Sequence, residues 1–203
     1  QIHDLAWVAS RDFKILHTTS KMASGKEVEC YVYYLPEHVS VYQGSELKLA
    51  EMVRALSDWV GEYPYEQVVI VDAKLLAGGG MEYPGLSIIG QVGSKPMLHR
   101  VMAHEVAHNW FYGVLASNER EHPWMDEGMT TFYERKLVDW IQQKDSLDSN
   151  PYLRLATTDQ WSYFLAAKQN QAQPCTRPAE EYSDMNYGAS IYEKTSACFD
   201  YLE

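Results

Sequence analysis

The chain has 203 residues, which is enough to bury a hydrophobic core and to form one domain, or one domain with a piece of another. Hydrophobic residues make up 46% of it and charged residues 22%, values that exclude a disordered or fibrous chain. A net charge of −11 argues against a nucleic-acid partner, and apolar runs such as 68–71 are far shorter than the roughly 18 residues of a membrane span.

Sequence patterns predict strands first and helices later. Residues 27–35 alternate, with Val28, Cys30 and Val32 on one side, which indicates a half-buried strand. Apolar residues then recur at helical spacing from Ser45 to Gly61, with Ser45 as the N-cap and Gly61 as the stop.

Two further strands are predicted over 66–72 and 85–90, on either side of a glycine-rich turn at 78–80. Helices are predicted over about 95–112, 125–142 and 151–171, and from 189 onward. A succession of strands and then helices indicates an α+β fold.

The three cysteines, Cys30, Cys175 and Cys198, form no CxxC pair. They therefore indicate neither a disulfide framework nor a thiolate metal site, and they leave the cellular compartment open. The chain begins at Gln1 without an initiator methionine or a leader, so we expect a segment of a longer polypeptide. A periplasmic or otherwise exported full-length protein stays among the options.

The predicted helix from residue 95 contains the sequence HEVAH at 104–108. Ser94 and Pro96 mark its start, and apolar residues surround it almost completely, which predicts a helix buried inside a domain. Ionisable groups that are buried without partners cost several kcal/mol, so three of them on such a helix need compensation.

A divalent metal ion supplies that compensation. His104 and His108 are four residues apart and differ by about 40° around the helix axis, so both imidazoles can converge on one ion. Glu105 lies about 100° round from His104. Its carboxylate is thereby placed beside the ion, where it can hydrogen-bond a water molecule rather than bind the metal.

A catalytic zinc ion usually has three protein ligands, so one more is needed. Eighteen intervening residues separate His108 from Glu127, which opens the next predicted helix and is a candidate. Taken alone, Glu127 is more typical of a first-turn carboxylate that the helix dipole favours. Asp126 and Glu134 are expected at the surface, although Glu134 shares a helical stripe with Glu127 and is a candidate partner for the ligands.

These residues resemble a known family. The chain has HEVAH, then eighteen residues, then the glutamate of WMDEG. This order and spacing resemble those of the gluzincin zinc aminopeptidases of the aminopeptidase N and leukotriene hydrolase type, in a bacterial subgroup. GGGMEYPG at 78–85 is similar to the family's Gly-x-Met-Glu-Asn exopeptidase motif, and the segment 186–203 resembles the one that carries its catalytic tyrosine. The resemblance covers about residues 45–203.

The resemblance implies a thermolysin-like catalytic domain, with a mixed β-sheet packed against helices. Residues 1–20 would be the end of a preceding β-rich domain or a linker, and residues 21–203 the catalytic domain, without the helical domain that follows it in the family. Those flanking domains of the same polypeptide are then its missing partners.

The resemblance also implies one zinc ion per chain, held by His104, His108 and Glu127. Glu105 would be the general base and Tyr192 the donor of a hydrogen bond to the oxyanion, with Tyr187 as a weaker candidate for the role of Tyr192.

Peptides with a free N-terminus are the implied substrates. Glu82 would pair with their α-ammonium group. Gly79 and Gly80 would let the substrate backbone approach, and Met81 would line the first side-chain pocket.

Three positions depart from the family pattern: Tyr83, where the exopeptidase motif usually has Asn; Tyr112, where Gly often follows the aromatic pair directly; and Thr195, which replaces the usual Gly after YEK. Two alternatives to an aminopeptidase stay open. One is a gluzincin with endopeptidase or epoxide hydrolase activity, and the other is a non-catalytic binding module on the same scaffold.

Overall fold

The computed structural model describes residues 3–76, 79–144 and 160–203. The chain divides into two compact units, Gln1–Val114 and Leu115–Glu203. This division lies within the segment predicted as one catalytic domain. The one predicted boundary, after residue 20, stays a prediction, and residue 20 lies inside a strand of the first unit.

Among the described residues, the first unit contains a mixed sheet of five strands: β1 (Lys14–Lys21), β2 (Glu27–Tyr34), β3 (Gln67–Asp72), β4 (Gly80–Tyr83) and β5 (Leu86–Ile89). The strands follow the order β1-β2-β3-β5-β4 across the sheet. Strands β1/β2 and β4/β5 pair antiparallel, whereas β2/β3 and β3/β5 pair parallel. The α+β prediction is confirmed.

The alternating strand is as predicted. In β2, Val28, Cys30 and Val32 are fully buried, while the residues between them are half-buried or exposed. In the β2/β3 register Cys30 lies opposite Val68, so the same face of the sheet carries apolar side chains from both strands. The sequence did not predict β1 or β4.

Three helices of the first unit are α1 (Val39–Tyr42), α2 (Ser45–Trp59) and α3 (Lys95–His108). Ser45 is the first helical residue of α2 and not its N-cap, because Gly44 takes that position with a φ of 85°. Gly61 follows the end of α2 with a φ of 149°, which agrees with its predicted role as a stop.

Helix α3 contains the HEVAH sequence and begins as predicted. The Ser94 hydroxyl accepts a hydrogen bond from the Met97 backbone N–H at 3.4 Å, which is an N-cap. The prediction of complete burial is wrong for its first turn, where Met97 is 49% exposed. Burial is continuous only from Glu105 onward, and after His108 the chain continues as a π-helical segment over Asn109–Val114.

Helices and two π-helical segments form the described part of the second unit. We name Trp124–Gly128 the glutamate turn and Tyr187–Lys194 the tyrosine turn; both are π-helical. The helices are α4 (Met129–Lys144), α5 (Trp161–Lys168), α6 (Asp184–Asn186) and α7 (Thr195–Leu202).

Of the predicted helix 151–171, the structure shows residues 161–168 as helical, and 151–159 lie outside the described residues. All three cysteines have free thiols. Within the described ranges, no helix combines the length and the hydropathy that a membrane crossing needs.

Candidate active site

Helix α3 brings the two predicted histidine ligands together. The rings of His104 and His108 lie edge to face with their centroids 4.7 Å apart, and a ring nitrogen of one is within 4.8 Å of a ring nitrogen of the other. His108 is buried and His104 is half-buried. Two imidazoles at this spacing fit the donor chemistry of a zinc site, in which nitrogen ligands lie about 2.0–2.1 Å from the ion.

Glu105 is buried against strand β4. A Cβ atom added to Gly80 would lie 2.6 Å from Cγ of Glu105, so the strand backbone approaches this side chain more closely than a larger residue in this conformation allows. The Ser87 hydroxyl of β5 donates a hydrogen bond to the backbone carbonyl of Glu105 at 3.3 Å, which ties the same turn of α3 to the sheet.

Strand β4 also places Glu82 beside the histidines. Glu82 lies opposite Ser87 in the β4/β5 register, on the sheet face that α3 covers. Its side chain is buried, and a carboxylate oxygen lies within 4.8 Å of a ring nitrogen of His108. Four of the predicted site residues, namely His104, Glu105, His108 and Glu82, are therefore neighbours within the first unit.

The remaining residues of the exopeptidase motif are arranged around β4. Gly79 adopts a φ of 66°, a conformation that favours glycine, and its carbonyl accepts a hydrogen bond from the Gly90 N–H at 2.8 Å. Met81 lies opposite Ile88 in the register, so strand alternation directs it to the sheet face opposite to that of Glu82.

Asn109 is a residue that the sequence reasoning missed. It follows His108 directly, and its side-chain oxygen accepts hydrogen bonds from the Gly85 N–H at 2.9 Å and the Tyr63 hydroxyl at 3.2 Å. Its amide group donates to the Val106 carbonyl at 2.9 Å. Asn109 thereby joins the end of α3 to the β4–β5 turn. Its position as the C-cap, where a side-chain amide is suited to bonding free backbone groups, was the available signal.

The glutamate turn of the second unit carries the acidic residues. Glu127 is half-buried, and its backbone carbonyl accepts a hydrogen bond from the Thr131 hydroxyl at 2.7 Å. The prediction that Asp126 and Glu134 lie at the surface is wrong, because they are only 1% and 5% exposed. Buried carboxylates need charged or hydrogen-bonding partners, which is typical of an active site or an ion-pair network.

The two candidate tyrosines lie together at the tyrosine turn. The rings of Tyr187 and Tyr192 are edge to face with centroids 6.0 Å apart, and both residues are half-buried. A half-buried phenol can pack through its ring while the hydroxyl stays available to a ligand. The glutamate turn and the tyrosine turn are in contact within the second unit.

Comparisons with known proteins bear on this arrangement. A sequence model described as the peptidase family M1 domain matches residues 47–203. Leucine aminopeptidase 2 of Candida albicans is 34% identical over 62 residues, which are 30% of this chain and 10% of that protein. Leukotriene A-4 hydrolase of Xenopus laevis is 29% identical over 101 residues, which are 48% of this chain and 16% of that protein.

Solved structures agree on the fold. An M1 zinc metallopeptidase of Deinococcus radiodurans matches with a TM-score of 0.65 at 22% identity, over 94% of this chain and 40% of that one. Aminopeptidase A of Legionella pneumophila, solved with aspartic acid, matches with a TM-score of 0.64 at 20% identity, over 94% and 22%. This chain thus spans well under half of each of these relatives. It belongs to peptidase family M1, whose solved members named here include a zinc metallopeptidase.

Proposed function

We propose that this chain is the catalytic part of a zinc-dependent aminopeptidase, which hydrolyses the first peptide bond of substrates with a free N-terminus. The observation that carries the proposal is the cluster in the first unit, where the Glu82 carboxylate lies within 4.8 Å of a ring nitrogen of His108. A buried carboxylate so close to a metal-binding imidazole is suited to hold a substrate ammonium group next to the reacting carbonyl.

His104, His108 and Glu127 would hold one zinc ion per chain. The donor set supports this role because it offers two imidazoles and one carboxylate, the ligands that catalytic zinc takes in hydrolases of this kind. When bound, zinc supplies Lewis acidity to the scissile carbonyl and lowers the pKa of a water molecule toward neutrality.

Glu105 would take a proton from the attacking water and later return it to the leaving amine. Its burial against β4 keeps the carboxylate in one place, which a proton shuttle requires. Tyr192 would donate a hydrogen bond to the oxygen that becomes negatively charged during attack. That interaction strengthens toward the transition state and therefore accelerates the reaction rather than only tightening binding.

Glu82 would limit cleavage to the first residue by pairing with the substrate α-ammonium group. The position of β4 as the last strand of the described sheet supports a second contact, since Gly79 and Gly80 offer a backbone that an extended peptide can approach and pair with. The role of Met81 in the first side-chain pocket is proposed on the motif alone.

The test compares free and N-acetylated peptides of one sequence, with the zinc-loaded protein, its Glu82→Ala variant and a control variant Glu62→Ala. Glu62 is an exposed glutamate of the same unit, so its loss is expected to leave the kinetics unchanged. The wild-type protein should cleave only the free peptide. Glu82→Ala should lose most of that activity, on the order of a hundredfold, as expected for a buried charge that pairs with substrate.

A chelator should abolish cleavage, and added zinc should restore it. Equal cleavage of free and acetylated peptides by the wild-type protein would contradict the aminopeptidase proposal and favour an endopeptidase. A protein that binds zinc and peptide without cleaving either substrate would favour a binding module.

A further inference from the structure

Glycine at position 128 permits a close contact between the glutamate turn and the chain that follows the tyrosine turn. A Cβ atom added to Gly128 would overlap Cβ and Cγ2 of Thr195 and would lie 2.8 Å from the Ile191 carbonyl oxygen. Gly128 is buried and Thr195 is only 3% exposed, so no solvent separates them. The methyl group of Thr195 therefore occupies the space that a larger residue at position 128 would need.

Thr195 is held in one orientation. Its hydroxyl donates a hydrogen bond to the Ser190 carbonyl at 3.3 Å, within a buried part of the tyrosine turn. A β-branched side chain in a helix has few allowed rotamers, so a fixed hydroxyl also fixes the methyl group. The methyl group is thus directed at Gly128 by local structure.

The two residues between Tyr192 and Thr195 are anchored elsewhere. The Glu193 carboxylate accepts hydrogen bonds from the Tyr163 N–H at 2.8 Å and from the Ser162 hydroxyl, at the start of α5. The Lys194 ammonium group donates to the Gln173 carbonyl at 3.1 Å. Thr195, by contrast, meets Gly128 of the glutamate turn.

From this geometry we propose that the contact between Thr195 and Gly128 sets the spacing between Tyr192 and Glu127. Gly128 is the neighbour of Glu127 in the chain, and Thr195 lies three residues, about one helical turn, after Tyr192. Thr195 and Gly128 are then positioning residues, which act through the proposed zinc ligand and the proposed oxyanion donor. This inference rests on the proposed function.

The test exchanges a methyl group between the two positions. Thr195→Ser removes the methyl group and keeps the hydroxyl, whereas Thr195→Val keeps a methyl group in place and removes the hydroxyl. Gly128→Ala adds a methyl group where Thr195 already has one, and the double variant Gly128→Ala with Thr195→Ser moves the methyl group across the contact. Cys198→Ala, at an exposed position of α7, is the control.

Four quantities are measured for each zinc-loaded variant: kcat, KM, the zinc dissociation constant by chelator competition, and the midpoint of thermal unfolding. A misplacement of about 1 Å costs on the order of a hundredfold in rate, so we expect Gly128→Ala to lose about that much in kcat and Thr195→Ser roughly tenfold. KM should change little in Thr195→Ser, because the proposed ground-state contact of the substrate is with Glu82 and does not involve Thr195. Thr195→Val should keep a kcat close to that of the wild type because it retains the methyl group, although its unfolding midpoint should fall with the loss of the hydrogen bond to Ser190.

The double variant removes the overlap with Cγ2 of residue 195 but keeps the one with its Cβ, so it should recover part of the kcat and of the zinc affinity that Gly128→Ala loses. Recovery will be incomplete because the added methyl group still meets the Ile191 carbonyl. If Gly128→Ala does not fold, the comparison of Thr195→Ser with Thr195→Val tests the inference by itself. A kcat that falls with the loss of the methyl group, and not with the loss of the hydroxyl, supports a role of this contact in positioning.

Unfolding midpoints that fall while kcat and zinc affinity stay unchanged would overturn the inference, because the contact would then only stabilise the fold. The same holds if Thr195→Ser keeps the kcat and the zinc affinity of Thr195→Val. If the wild-type protein neither binds zinc nor hydrolyses peptides, the proposed function is refuted, and the inference that rests on it is refuted as well.

Discussion

Replacing Asn109 by Leu tests how far the end of the HEVAH helix depends on one buried amide. The side-chain oxygen of Asn109 accepts hydrogen bonds from the Gly85 N–H and the Tyr63 hydroxyl, at 2.9 and 3.2 Å. Leucine has a similar size and no acceptor, so both donors lose this partner. The Tyr63 hydroxyl retains a second acceptor, the Gln67 carbonyl at 3.2 Å, whereas the Gly85 N–H loses its side-chain partner.

The expected cost follows from these two donors. A buried donor left without an acceptor costs about 1–3 kcal/mol, and the loss of the Tyr63 bond adds about 1 kcal/mol. The free energy of unfolding should therefore fall by roughly 2–4 kcal/mol, which lowers the thermal midpoint of a chain of this size by about 5–12 °C. Far-ultraviolet circular dichroism follows the thermal unfolding of the two proteins.

Asn118→Leu is the matched control. The Asn118 side chain also accepts two backbone hydrogen bonds, from Arg120 and Glu121 at 3.1 and 3.3 Å, but it is exposed. Water can replace it there, so the control should lower stability by about 1 kcal/mol or less, the usual cost of losing an exposed cap. Equal effects of the two leucine variants would refute the reasoning, because burial of the donors would then make no difference.

Two further predictions concern catalysis and pH. Tyr192→Phe should lower kcat by about a hundredfold or more with little change in KM, because it removes one oxyanion donor, whereas Tyr187→Phe should change kcat far less; a similar loss in both would contradict the assignment of Tyr192. Burial raises the pKa of the Cys30 thiol from 9.0 to about 12. Above pH 9 the unfolded chain releases this proton first, so stability should fall by up to about 1.4 kcal/mol per pH unit. The free energy of unfolding, measured by denaturant titration at several pH values, should fall less steeply with pH in Cys30→Ala than in the wild type. An equally steep fall in both proteins would contradict the buried-thiol explanation.

Elements with strong hydrophobic periodicity were predictable. β2 alternates, α2 has helical spacing, β3 is a buried run and β5 is a short, partly buried apolar run, so local pattern and tertiary structure agree. β1 was missed because it is an edge strand that exposes most of its side chains, with polar residues on both faces.

Strand β4 was missed because it has only four residues beside glycines. The signal for it was the Pro84–Gly85 pair, since Pro followed by Gly at positive φ is typical of a type II turn, and Gly85 has a φ of 79°. The antiparallel β4/β5 pairing follows directly from that turn.

The sequence predicted residues that the structure brings together, such as His104, His108 and Glu82, but it did not predict the backbone of the candidate site. The residues after His108, the glutamate turn and the tyrosine turn are all π-helical, a conformation that often occurs at functional sites. The helical spacing of apolar residues in the sequence does not distinguish a π-helical segment from an α-helix. The burial of Asp126 and Glu134 was also out of reach, because acidic residues are exposed by default and only tertiary partners override that preference.

The zinc site is tested most directly by anomalous diffraction at the zinc absorption edge, on crystals of the zinc-loaded protein. We expect one peak per chain, about 2.0–2.2 Å from a ring nitrogen of His104, a ring nitrogen of His108 and a carboxylate oxygen of Glu127. A peak elsewhere, or a zinc ion bound by the histidines while the Glu127 carboxylate points away from it, would contradict the proposed ligand set.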